Sequence, residues 1–459
     1  MVKIYNIVAE LCSYVIESCT SLFFTRFSCI SDNEQQRIFD EINKYIPELF
    51  ESDHSTHILT EDDLTQEFFD KLEDLIYDLK EHNDYFCIVG LVQYIDKALI
   101  NILRAEILTF QEEEYSVVLN TNREKTGIGL LPRFPCYWER KRRLSHHYNR
   151  MDNFLFNLLL IENKVIGNLV DKHIFLKNDF FENFQKTKKL KIAATPLRNT
   201  KNFDVNLYSK DNIQYFSINY HAKDMKNDNN LIWQKIVQAG ENNADIIVFP
   251  EMLGNADTNN YIITKLKALS REKAKRIPSL IVLPSFWNLN RNKVTVLDKY
   301  GNLICTQCKH FPFRTEIDGK GYLEAIHSSM IVNVLHYEGI GRIAFLICKD
   351  FLTTRYMEQL MRCFKLSLII VPSFSTGSYD FKQSFDLCAH DDCNVVWINT
   401  CAAMEEGKES NFDNIGYVRK RISKFDDESQ KLCKMARCNT PLNKTCDHSC
   451  LFFETIYSV

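Results

Sequence analysis

Apolar residues recur at helical spacing through the first part of the chain and then change to short continuous runs. Ile38, Ile42, Ile46 and Leu49 fall on one face behind Ser31-Asp32-Asn33-Glu34, a capping box in which Ser31 and Glu34 satisfy the free amides of a helix start. Thr60 offers a second start, followed by Leu64, Phe68, Leu72, Ile76 and Leu79 at the same spacing. Glu61, Asp62, Asp63, Glu67, Asp70, Glu73, Asp74 and Asp78 crowd its other faces and read as a solvated surface. Residues 85–110 and 152–171 are apolar enough to predict buried helices, and residues 127–135, with two Gly and two Pro, predict a loop between them. From Lys189 onward, runs rich in Ile, Val and Leu at 190–195, 246–250, 280–284, 294–297, 303–306, 329–335, 343–348, 368–372 and 395–399 alternate with helical stretches at 230–242, 260–275, 354–364 and 381–390. That alternation predicts a layered α/β domain. The division is an all-α domain over residues 1–188 and an α/β domain over 189–459, with the boundary in the Lys-rich run 185–191.

Length and composition narrow the classes. A chain of 459 residues, 45% hydrophobic and 25% charged, has the make-up of a globular protein and excludes a disordered chain or a multi-span membrane protein. The net charge of −4 provides no global field for nucleic acid or an anionic membrane. Residues 140–150 form the densest basic run, but they lack the aromatic or Gly interleaving of an RNA-binding segment, so a nucleic-acid partner is not expected. The apolar stretch 5–24 carries Glu10 and Glu17, which fits an amphipathic helix better than a signal peptide or membrane span. Sixteen scattered cysteines favour free thiols in a reducing, cytoplasmic setting.

Three apolar runs of the second part end in reactive groups: 244–251 in Glu251, 303–309 in Lys309 and 342–348 in Cys348. Strand ends are where α/β folds place chemistry. Cys supplies a nucleophile, Glu a base that takes its proton and later activates water, and Lys a cation for a developing oxyanion.

With these residues the chain resembles the carbon–nitrogen hydrolase, or nitrilase, superfamily over residues 190–399. The likeness lies in Lys191-Ile-Ala-Ala-Thr-Pro, Val248-Phe-Pro-Glu251, Val296-Leu-Asp-Lys-Tyr-Gly-Asn302, Lys309-His-Phe-Pro-Phe313, Leu346-Ile-Cys-Lys-Asp350 and Leu368-Ile-Ile-Val-Pro-Ser373, in this order. The resemblance implies a four-layer α-β-β-α sandwich, with Glu251 as general base, Lys309 as oxyanion stabiliser, Cys348 as nucleophile and the Lys349 amide as second oxyanion donor. Glu316 stands for a further glutamate that the family often has after its lysine. It also implies hydrolysis of a small amide, carbamoyl compound or nitrile through a thioester, no organic cofactor, and a homodimer. Lys349 stands where the family usually has an aromatic residue, and the segment after Phe313 is altered, so the substrate is left open. Two rival settings share these residues: a sensing or signalling protein using such a pocket, with the helical part as a partner-binding unit, or an amide-donor subunit feeding ammonia to a synthetase.

The cysteines outside this set raise one further expectation. Cys433, Cys438, Cys446 and Cys450, with His448 among them, lie in a short polar segment with little core of its own, and four thiols there suit a structural zinc ion. Cys305 and Cys308 have CxxC spacing but share the strand that delivers Lys309, so packing is the expected role. His390, Asp391 and Asp392 follow a helix and are expected to cap or line its end.

Overall fold

The computed structural model describes residues 1–139, 149–221, 225–255, 257–404, 413–422, 430–438 and 446–457. Most of the basic run 140–150 lies outside the described residues. Among the described residues, no single helix is long and apolar enough to cross a membrane.

Two seven-stranded sheets form the centre. The first runs in the order Leu303–Cys308, Arg291–Asp298, Leu280–Val282, Ile246–Val248, Lys189–Ala194 and Phe452–Tyr457, with Phe286–Asn288 added on Arg291–Asp298. The second runs Gln430–Ala436, Asn414–Arg421, Asn394–Ile398, Leu368–Pro372, Gly341–Phe345, Ile331–Tyr337 and Val170–Phe175. The central strands of each are parallel and fully buried, which is why they read as continuous apolar runs. Side chains alternate between two cores, as the strand period demands. Ala193, Ile247 and Ile281 pack outward with Ile232, Ile236 and Ile262 of the helices Met225–Glu241 and Thr258–Lys267. Ile192, Ile246, Val248 and Leu280 pack inward, in one core with Val334, Phe345 and Ile370 of the second sheet. The helices Thr354–Phe364 and Tyr379–His390 complete the layers on the far side.

The helical expectations hold for the first 126 residues with three adjustments, the first being that the stretch 5–24 is two helices, Val2–Ser18 and Ser21–Phe27, bent by 115°. Ser31 caps Asp32–Tyr45, accepting from the Glu34 N–H at 3.3 Å. Thr60 caps only the short turn Glu61–Asp63, and the helix Gln66–Glu81 starts behind Thr65. The stretch 85–110 is two helices, Tyr85–Ala98 and Ile100–Phe110, bent by 60°. Gly90 lets the first of them touch its neighbour, since a Cβ there would stand 2.4 Å from Cγ2 of Ile38.

Beyond residue 126 the all-α expectation is corrected. Ile128–Pro132, expected as a loop, pairs antiparallel with Leu158–Glu162, expected within a helix. An apolar run buried on both faces has no periodicity to separate strand from helix, and here its length decides. Val170–Phe175 joins the second sheet in parallel with Ile331–Tyr337. The core is therefore continuous across the Lys-rich run 185–191. Arg342, almost fully buried, donates to the carbonyl of Phe134 at 2.9 Å and to that of Lys365, and the indole N–H of Trp138 donates to the carbonyl of Ser367 at 3.2 Å.

A four-stranded sheet also escaped the sequence pattern. The hairpin of Phe203–Lys210 and Ile213–Tyr220 turns at Asp211 and Asn212, both with positive φ, as a two-residue hairpin requires. Lys320–Glu324 adds to it in parallel, and Arg314–Ile317 adds outside that strand.

Candidate active site

Glu251 and Cys348 follow buried strands and Lys309 follows a half-buried edge strand, and the fold brings them together. Glu251 lies three residues past Ile246–Val248, Lys309 directly follows Leu303–Cys308, and Cys348 lies three residues past Gly341–Phe345. The ammonium of Lys309 sits between two carboxylates, 2.9 Å from Oε1 of Glu251 and 2.8 Å from Oε2 of Glu324. All three groups are at most 2% exposed, so their charges interact without the screening of water. The Cys348 thiol faces the carbonyl oxygen of Phe374 at 3.9 Å and lies beside the Glu251 carboxylate, close enough for each to shift the other's proton affinity. The N–H of Phe374 donates to Oε2 of Glu251 at 2.8 Å, which fixes that carboxylate beside the thiol.

The backbone around the nucleophile is held in a costly conformation. Cys348 has φ of +47°, a left-handed value that side-chain-bearing residues seldom adopt, and it opens the short helical turn Cys348–Asp350. Asp350, fully buried, holds that turn against the segment behind the lysine. Its carboxylate accepts from the N–H groups of His310 at 3.0 Å and Phe311 at 2.9 Å. The sulfur and the ammonium are thus positioned by one shared anchor. The N–H of Lys349 lies in the first turn of this helix, where amides have no intrahelical acceptor.

Electrostatics follow from one cation facing two acids. Burial raises the pKa of Glu251; Lys309 opposes that shift and Glu324 adds to it, leaving the carboxyl above its ordinary range. Burial alone would lower the pKa of Lys309, but Glu251 and Glu324 outweigh it and hold the amine well above its usual value. Burial, reinforced by the charge of Glu251, raises the Cys348 thiol despite Lys309. The resting thiol therefore keeps its proton, and Glu251 is the group beside it able to take one.

Glu316 is corrected. It lies exposed on Arg314–Ile317, whereas Glu324, at the end of the returning strand Lys320–Glu324, reaches the lysine. The hairpin reverses between these strands, a step that linear spacing does not reveal. Glu324 also accepts from the Phe313 N–H at 2.9 Å. Sequence reasoning missed Asn292 as well. Its amide donates to Oε1 of Glu251 at 2.7 Å and to Oε1 of Glu324 at 3.4 Å. Little in the sequence marks it, because Asn292 stands between Arg291 and Lys293 at the polar start of the strand Arg291–Asp298 and its burial comes from the fold.

Of the tail cysteines, Cys438, Cys446 and Cys450 lie near one another and near Cys401. Cys433, on Gln430–Ala436, instead has Lys420 and Glu454 as neighbours. Among the described residues, no group of three or more His, Cys, Asp and Glu side chains is placed to hold a metal ion. Cys305 is buried in its strand, as packing requires. Asp392 closes a buried ion pair with Arg421.

No family model and no curated protein matches the chain. Among solved structures it is similar to an amidase from Nesterenkonia sp., at 15% identity and a TM-score of 0.35, covering 50% of this chain and 81% of that one. A cysteine-to-serine mutant of the Nesterenkonia AN1 amidase, described as from the nitrilase superfamily, matches at 15% identity and a TM-score of 0.35 over 50% of this chain and 83% of that one. A glutamate-to-glutamine mutant, showing Michael addition of acrylamide at the active-site cysteine, matches at 14% and 0.35 over 50% and 84%. Similarity of this size fixes neither activity nor substrate, which rest on the chain's own residues.

Proposed function

We propose that the protein is a carbon–nitrogen hydrolase of the nitrilase type, cleaving a small amide through a thioester on Cys348. The observation that carries this reading is the buried trio in which one lysine ammonium bridges two carboxylates and one of those carboxylates also contacts a thiol on strained backbone.

In the reaction, Glu251 takes the thiol proton as sulfur attacks the carbonyl carbon. The oxygen gains negative charge and is stabilised by the Lys309 ammonium and the Lys349 N–H. Collapse expels ammonia or an amine, which receives the proton from Glu251 and leaves an acyl thioester. Water then gives a proton to Glu251 and its oxygen adds to the thioester. The carboxylic acid departs, and the sulfur recovers the proton. Glu324 and Asn292 hold Lys309 and Glu251 throughout, and no step needs an electron donor or acceptor.

The test is ammonia release from a panel of amides and nitriles by the full chain and by Glu251→Gln. Glutamine keeps the shape and loses the base, so turnover should fall by ~10²-fold or more while circular dichroism is unchanged. Near-normal turnover in the variant contradicts the assignment.

A further inference from the structure

The small sheet does more than supply Glu324. Glu324 pairs in register with Phe216 on the neighbouring strand. Residues in register share a face, and so do residues two apart along a strand. Phe216, Ile218 and Tyr220 therefore stand on the face that presents Glu324 to Lys309, together with Tyr322. The pairings Phe203↔Tyr220, Val205↔Ile218 and Leu207↔Phe216 extend that face across the hairpin.

The same residues form a cluster of their own. Phe203, Phe216, Ile218 and Met252 are buried together, with Tyr220, Trp287, Tyr322 and Phe374 packed against them. Two of these belong to the reaction centre, since Met252 follows Glu251 in the chain and Phe374 contacts both Glu251 and the thiol. Tyr220 accepts from the backbone N–H of Trp287 at 2.9 Å, and it feels the charges of Glu251 and Glu324. Two polar atoms nearby are buried without a hydrogen-bond partner: Nε1 of Trp287, a donor, and Oδ1 of Asn292, an acceptor that shares its side chain with the Glu251 contact. Buried polar atoms left unpaired cost free energy, and a bound ligand is one way to satisfy them.

We infer that this aromatic face is the acyl-binding wall of the site, and that the substrate is the amide of an aromatic or branched apolar acid. The inference rests on the hydrolase reading above and adds the substrate class. The half-buried rings of Tyr220, Trp287, Tyr322 and Phe374 are the part of this face open to a substrate, which a phenyl group covers and the methyl of acetamide does not. Each added methylene in an apolar pocket is worth ~10–200-fold in selectivity, so a phenyl group should favour the larger amide by ~10²-fold or more in kcat/KM.

The experiment compares phenylacetamide with acetamide on the full chain, and measures binding of both to Cys348→Ala by calorimetry. Tighter binding of phenylacetamide to Cys348→Ala, with the kcat/KM preference reduced at least ~10-fold in Phe216→Ala mainly through KM, supports the assignment. The binding arm leaves the wall intact and so remains informative if Phe216→Ala fails to fold. Acetamide turned over as well as phenylacetamide, with equal binding to Cys348→Ala, overturns the inference and leaves the hydrolase reading standing. Ammonia released from neither amide, with no labelling of Cys348 by fluoroacetamide, overturns both.

Discussion

Two of the buried charge clusters among the described residues are built to opposite ends. In one, Arg123 grips Asp171 with contacts of 3.1 and 3.2 Å, Asp171 meets His173 at 3.0 Å, and His173 meets His336 at 2.8 Å. In the other, Lys309 faces Glu251 and Glu324 with the Cys348 thiol alongside. Burial would raise the pKa of Asp171, but His173 and Arg123 outweigh it and hold the carboxyl well below the usual range. Glu251 shares its single cation with a second acid and ends above that range. A carboxylate with a cation of its own stays ionised and locks a seam, here between Val170–Phe175 and Ile331–Tyr337. A carboxylate in surplus over its cation holds a proton more readily and becomes a proton acceptor. Stoichiometry of charge, more than burial, separates the structural cluster from the chemical one.

This contrast can be sharpened by removing the surplus acid. Glu324→Gln should lower turnover by ~10²-fold through Lys309, and it should also move the acid limb of kcat/KM. In the wild type that limb belongs to Glu251 and lies above the ordinary carboxylate range, because activity requires the deprotonated base. Removing the Glu324 charge lowers the Glu251 pKa, so the limb should shift to lower pH. A pH–rate profile with an unmoved limb would break the charge-surplus argument.

The structural cluster should respond in stability. Arg123→Met leaves Asp171 buried with half its support, a loss of ~3 kcal/mol in urea unfolding. The sign of the pH dependence follows from the depressed folded pKa. The contribution of Asp171 is complete above its unfolded value of about 4 and is lost as pH falls towards the folded one. The variant should therefore show a flatter acid profile than the wild type, with kcat of the folded enzyme unchanged. Equal stability of the two proteins at neutral pH would show that the cluster is not a clamp.

The smallest expected effect lies far from both clusters. Ser31→Ala removes the acceptor for the Glu34 N–H and should cost ~1 kcal/mol in urea unfolding without changing kcat/KM.

The groups easiest to read in the sequence were those whose local pattern and final role coincide. Glu251, Lys309 and Cys348 close runs that end at a charged or reactive residue, and those runs are the strands before the site, buried for Glu251 and Cys348 and half-buried for Lys309. Glu324 was hidden because a turn returns it to the lysine, so its place depends on pairing and not on distance along the chain. The hairpin of 203–220 was hidden for a different reason. Its strand Phe203–Lys210 is exposed along nearly all its length, and Val205 and Leu207 alternate with Asp204 and Asn206 instead of forming a run. Asp211-Asn212 between two alternating segments was the legible sign of the turn. Leu158–Glu162 shows the converse, since continuous apolarity gave burial correctly and secondary structure wrongly.

The most direct test of the account is mass spectrometry of the protein quenched in acid during turnover of phenylacetamide, followed by peptide mapping. Sixteen cysteines compete for any label, so the position is informative. The account predicts one acyl adduct, on the peptide carrying Cys348, released by hydroxylamine as a thioester must be, and absent from Cys348→Ala. An acyl group on another cysteine, or ammonia released at the wild-type rate by Cys348→Ala, would contradict it.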